Sequence, residues 1–207
     1  INLNFGCLLH FSRPIREAIP YYDTAIRDGI HTGDLTFTSW AAVYRALDKY
    51  TMGQDLPTLH EEIRVGLNIV KRNKDLLQTL ILTFTQQRVL RIIHGPVVPP
   101  GPAGEAFDEA EFVRTLQDPQ LAMPACYYHV AKLELAVIFG DYHLALEMAK
   151  QAEPVIPFLT AMNIWTEYTF FKALALAALA GESGSDDAAE RRAGLTALHA
   201  KLQQWAA

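Results

Sequence analysis

Cysteine is nearly absent: Cys7 and Cys126 are the two in 207 residues, too few and too far apart for a disulfide framework. Neither belongs to a four-ligand Cys/His set of the kind that holds zinc, so no metal centre is indicated, and a reducing cytoplasm is the compartment that fits. Excess basic charge is missing too. With 18 Lys and Arg against 23 Asp and Glu, the formal net charge is -5 and both signs are interspersed, leaving no patch that would draw phosphate backbones or anionic lipid. Nucleic acid is not an expected partner. Long apolar runs are lacking as well; residues 174–180 fall well short of the roughly 20 that a membrane span needs. Residues 1–10 begin with Ile1 and carry neither a basic start nor a small-residue cleavage site, so they read as an excised piece of a larger protein and not as a signal peptide.

What is present is a globular composition, with 50% hydrophobic and 20% charged residues, long enough to bury a substantial core. Apolar residues recur at intervals of three and four almost throughout, and no stretch keeps the strict alternation of a half-buried strand, which predicts an all-α protein. In 34–51, Phe37, Trp40, Ala41, Tyr44 and Leu47 share one helical face that must pack on a neighbour, while Arg45, Asp48 and Lys49 lie largely off it. The same spacing gives a helix through Ile164, Trp165, Tyr168, Phe171 and Ala175. A last one runs through Leu195, Leu198, Leu202 and Trp205.

Breaks are equally readable. Ser12 before Pro14 is the expected N-cap of one helix, and Gly33 with Asp34 ends one helix and caps the next. Residues 53–57 form another break, followed by helices over 57–72 and 75–94, the second apolar on nearly every side and therefore central. Residues 95–104 hold four prolines and three glycines, which reads as a semi-rigid linker. It divides the chain into a first helical half, 1–94, and a second, 105–207, together one repeat region. The second half is expected to have a short acidic helix over 107–116 and a long one over 119–139, turning at Gly140-Asp141 into 142–153 as an antiparallel hairpin.

A tetratricopeptide repeat is a two-helix hairpin of about 34 residues with small residues where its helices cross and a Pro near its end. Ala136, Ala145, Ala149, Ala152 and Pro157 reproduce the spacing of its Tyr, Ala, Phe, Ala and Pro positions, although His129, Lys132 and Leu133 replace the Trp, Leu and Gly of its first helix. A second copy places Gly6, Leu9, Ala18, Tyr22 and Ala25 at the Gly, Tyr, Ala, Phe and Ala positions. The runs 13–18, 21–25 and 33–41, then 135–149 with Phe139-Gly140-Asp141-Tyr142, and the 168–179 helix, resemble the helical region that follows the ATPase module in bacterial multi-sensor hybrid kinases. That resemblance covers most of the chain, apart from the Pro-rich 95–104 insertion. It implies a TPR-like α-solenoid of stacked hairpins and a parent protein that commonly carries a Ser/Thr kinase-like domain and an ATPase upstream, with a GAF sensor and a histidine kinase downstream. The segment itself is then a non-catalytic scaffold, without cofactor, whose partners are neighbouring domains or another protein. Its groove positions would be Tyr127, Val130, Glu134, Val137 and Ile138, which lack the Lys, Arg and Asn that clamp a peptide's terminal carboxylate.

Other candidate chemistry is weaker than its structural explanation. Gly101-Pro102-Ala103-Gly104 lacks the Lys and the Ser or Thr of a phosphate-binding loop and reads as linker. Asp186, Asp187 and Glu190 superficially resemble an acidic magnesium cluster of an all-helical enzyme, but acids in a first turn stabilise the helix dipole, and Asp187 with Glu190 fits a capping box. His60-Glu61-Glu62 has Arg64 where a zinc-protease helix needs its second His. His129 and His143 have no acidic partner at catalytic spacing.

Overall fold

Aspartate marks where the helices of this chain begin. The carboxylates of Asp34, Asp55, Asp75, Asp108 and Asp141 each accept a hydrogen bond from the backbone N–H three residues on, at 3.2, 3.0, 3.2, 2.9 and 3.0 Å. Each satisfies an N–H that has no partner within its own helix. The computed structural model describes residues 2–97, 106–159, 162–180 and 188–206, and among these all regular structure is helical. The elements are α1 (Asn2–Leu9), α2 (Ile19–Thr32), α3 (Leu35–Thr51), α4 (Leu56–Arg72), α5 (Leu76–His94), α6 (Glu109–Thr115), α7 (Ala122–Ile138), α8 (Tyr142–Ala152), α9 (Asn163–Leu179) and α10 (Ala188–Ala206). Short 3-10 turns at Ile15–Ala18, Pro119–Leu121 and Ile156–Leu159 lead into or out of them. Among the described residues no helix is long and apolar enough to cross a membrane.

The chain forms two compact units, Ile1–Pro124 and Ala125–Ala207. Of the expected linker, Gly95 ends α5 at a positive φ of 95°, and residues 98–104 lie outside the described residues. In the first unit each of α1 to α5 packs on the next, and α3 also touches α1 and α5. Leu3, Leu9, Ala18, Tyr22 and Ala41 form the core where α1, α2 and α3 meet. Gly6 makes that meeting close: a Cβ there would lie 2.7 Å from Tyr22 Cε1, so the α2 ring rests on bare α1 backbone. Further along, Leu59, Ile63 and Val70 of α4 and Leu82 and Val89 of α5 are almost fully buried. Phe84 of α5, Phe112 of α6 and Phe107 stack within 5.3 to 6.3 Å of one another, and Arg91 pairs with Glu109 at 2.7 Å beside them.

In the second unit α8 packs on α9 and α9 on α10. Ala145, Ala149 and Ala152 of α8 are wholly buried, and the Cys126 thiol of α7 reaches the Ala152 carbonyl at 3.9 Å. Gly140, at φ 81°, makes the turn between α7 and α8 in a conformation that L side chains rarely adopt.

Two local expectations are corrected. Ser12 is not an N-cap: its hydroxyl donates back to the Leu9 carbonyl at 3.4 Å, closing α1, and Pro14 leads into a 3-10 turn without a side-chain cap. On α3 the buried arc is displaced from the expected one. Phe37 is 48% exposed, whereas Asp48 is 5% exposed and accepts a hydrogen bond from the Tyr22 hydroxyl at 2.9 Å. The reason is that α3 is packed by four helices, α1, α2, α4 and α5, so its buried arc is wider than one apolar stripe.

Candidate functional site

One recess of the first unit is a groove of about 400 Å3 between α2 and α4, with α3 beneath. Ile26 and Ile30, one turn apart on α2, make one wall; Val65 and Ile69, one turn apart on α4, make the other; Ala42 and Ala46 of α3 keep the floor low. Ile30 is 61% and Val65 56% exposed, so the walls present apolar surface to solvent. Spacing of four residues on both walls forms the ridges between which a further helix would lie.

Charge closes one end of the groove. Arg45 of α3 bridges Asp23 of α2 at 2.6 Å and Glu62 of α4 at 2.8 Å, and Glu62 also accepts from Lys49 at 2.6 Å and from Gln54 at 3.0 Å. Burial alone would raise the Glu62 pKa, but the hydrogen bonds from Lys49 and Gln54 and the nearby Arg45 charge outweigh it and hold it below its ordinary value. Two acids and two bases therefore satisfy one another and fix the three helices, and the groove they border is suited to an apolar occupant.

The sequence reading missed this groove. Its signal was present: Ile26 with Ile30 and Val65 with Ile69 form second apolar pairs beside the main stripes of α2 and α4, which are used in the core. The positions named from the resemblance all lie on α7. Val130 and Glu134 are buried, at 0% and 6% exposure; Tyr127 and Val137 are half-buried; Ile138 is 48% exposed. The Tyr127 hydroxyl approaches Met162 Sδ at 3.4 Å.

The remaining candidates disperse. His60 lies near Glu61 at 3.7 Å and against the Gln86 side chain at 3.2 Å, while its neighbour Glu62 belongs to the charge network. Burial lowers the pKa of His129, and His143 is exposed on α8. Asp186 and Asp187 lie outside the described residues; Glu190 is exposed in the first turn of α10. Among the described residues no three His, Cys, Asp or Glu side chains are grouped to hold a metal ion. In comparisons with known proteins, the chain matches no family model, no curated protein and no solved structure.

Proposed function

We propose that this chain is a non-catalytic helical-repeat region of a large bacterial signalling kinase, a TPR-like stack of hairpins that couples an ATPase module to sensor and kinase domains in the cytoplasm. The reading draws on the resemblance of residues 13–41 and 135–179 to that region of hybrid kinases. The observation that carries its physical side is the reach of the packing: from α1 to α5 each helix touches its successor, and α1 and α3 also touch the helix after that. A stack of that kind passes strain from one hairpin to the next. Small residues at the crossings, Gly6 under Tyr22 and the buried Ala145, Ala149 and Ala152, support a repeat of the tetratricopeptide type. Sequencing the gene on both sides tests the proposal. A phosphate-binding loop upstream and histidine-kinase motifs downstream are expected; an open reading frame without either overturns it.

The α2–α4 groove favours a second reading, an adaptor that binds the apolar face of a helix from a separate protein. Because Ile30 and Val65 are more than half exposed, Ile30→Asp and Val65→Asp should leave helix content and thermal stability unchanged. Each should abolish retention of any partner that the wild-type chain holds in a pulldown. Retention that survives both substitutions rules out the groove as the binding site.

A further inference from the structure

The terminal hairpin of the second unit is held together without a fully buried residue on its last helix. Leu176 of α9 lies against Gly194 near the start of α10, and Trp165 near the start of α9 meets Lys201 toward the end of α10, so the two helices run antiparallel. α10 has 19 residues and buries none of them, whereas α9 buries Ile164, Tyr168, Ala173, Ala175, Leu176 and Leu179. The apolar stripe of α10, Leu195, Leu198 and Leu202, is half-buried. Its most specific tether is the Lys201 ammonium, 3.9 Å from the centre of the Trp165 ring and 5.2 Å from that of Trp205. Trp205 itself is 45% exposed.

Elements that bury little open independently of the rest of a fold, and a single helix of this length is only marginally stable away from its support. We infer that α10 is a releasable strap, and that the α9 face beneath it, between Trp165 and Leu176, is a docking site for α10 of a second copy of this chain. The recognition chemistry is visible in the intramolecular contact. The occupant brings leucines at the spacing of Leu195, Leu198 and Leu202, and an ammonium onto the Trp165 indole. A second copy supplies all of these, and exchange of an identical element creates no new interface chemistry. The inference does not depend on the signalling reading, because it rests on the α9–α10 contact alone.

Hydrogen exchange on the full chain tests release: the α10 amides should exchange as a group, about 100-fold or more faster than those of α9. Protection of α10 equal to that of α9 overturns the strap. A fluorescent peptide of residues 188–206 tests docking by anisotropy. It should bind the full chain, bind more tightly to the full-chain variant Leu198→Asp, whose own strap is weakened, and lose binding when the peptide itself carries Leu198→Asp. Unchanged α9 exchange in the full-chain variant shows that the rest of the unit is folded. Absent binding, or equal binding of the two peptides, overturns the docking site. Sedimentation of the wild-type chain should show dimer increasing with concentration, and a chain that binds the peptide but stays monomeric overturns the assignment to a second copy.

Discussion

Tyr22 shows how much one side chain fixes in the first unit. Its ring lies on Gly6, its hydroxyl donates to Asp48, and it stacks on Tyr44 at 6.3 Å, so α1, α2 and α3 are keyed to one another through it. A methyl group at position 6 would enter a contact of 2.7 Å with a ring that cannot retreat without breaking that hydrogen bond. Overpacking of this kind costs about 1–3 kcal/mol and exceeds the ~1 kcal/mol that Ala gains over Gly in a helix. Gly194 has the opposite sign: an added carbon would meet Leu176 Cδ1 at 3.4 Å, an ordinary contact, so helix propensity prevails. Gly6→Ala should therefore lower the urea midpoint and Gly194→Ala should raise it or leave it level. A rise with Gly6→Ala would show that Tyr22 does not hold α1 in place. The sequence placed Gly6 and Tyr22 at the Gly and Phe positions of a repeat, but it left Asp48 largely off the packed face because its partner comes from 26 residues away, beyond the reach of any periodicity.

The elements themselves were the most legible level. Helix starts follow Asp34, Asp55, Asp75, Asp108 and Asp141, because a short carboxylate captures a backbone N–H before the first turn closes; five of the acidic residues are committed to this task. Ser12 misled because Ser-x-Pro reads as a cap, while the chain there completes α1 instead. The break between α4 and α5 has neither Gly nor Pro, and Lys74 itself adopts a φ of 56° to make it. The groove escaped for a related reason: two apolar residues on a helix whose main stripe is already in the core give no period of their own. Among the caps, Asp141 serves the 11-residue α8 of the second unit. Asp141→Ala should cost about 1 kcal/mol, whereas Asp141→Asn, which keeps a side-chain acceptor, should cost a few tenths. Chemical denaturation of the three proteins measures this; equal loss in both variants would show that charge against the helix dipole, and not the hydrogen bond, is what Asp141 supplies.

At the scale of the whole molecule, the two units bury acids of a weak kind: thiols and phenols. Burial pushes the Cys126 thiol from its ordinary 9.0 up to about 12, and burial together with the Asp48 charge does the same to Cys7, against the opposing influence of the Tyr22 hydroxyl. Tyr22 and Tyr44 are raised above their ordinary 10.0 by burial and by the neighbouring Asp48 and Cys7. The folded chain thus keeps protons that the unfolded chain gives up. Unfolding then releases protons once the pH exceeds 9.0, and by linkage stability falls with rising pH. The contribution of the thiols is complete below pH 9.0 and is lost as the pH climbs through about 12; that of the tyrosines begins to erode near 10.0. The thermal midpoint should accordingly be level near neutral pH and fall steadily on the alkaline side. The slope separates this cause from general repulsion among surface acids, because Cys7→Ala with Cys126→Ala removes both thiols while leaving the net charge at neutral pH untouched. The double variant should stay level until the tyrosine range and only then decline, and a double variant whose midpoint declines from pH 9.0 as steeply as the wild type would place the alkaline sensitivity outside these two cores.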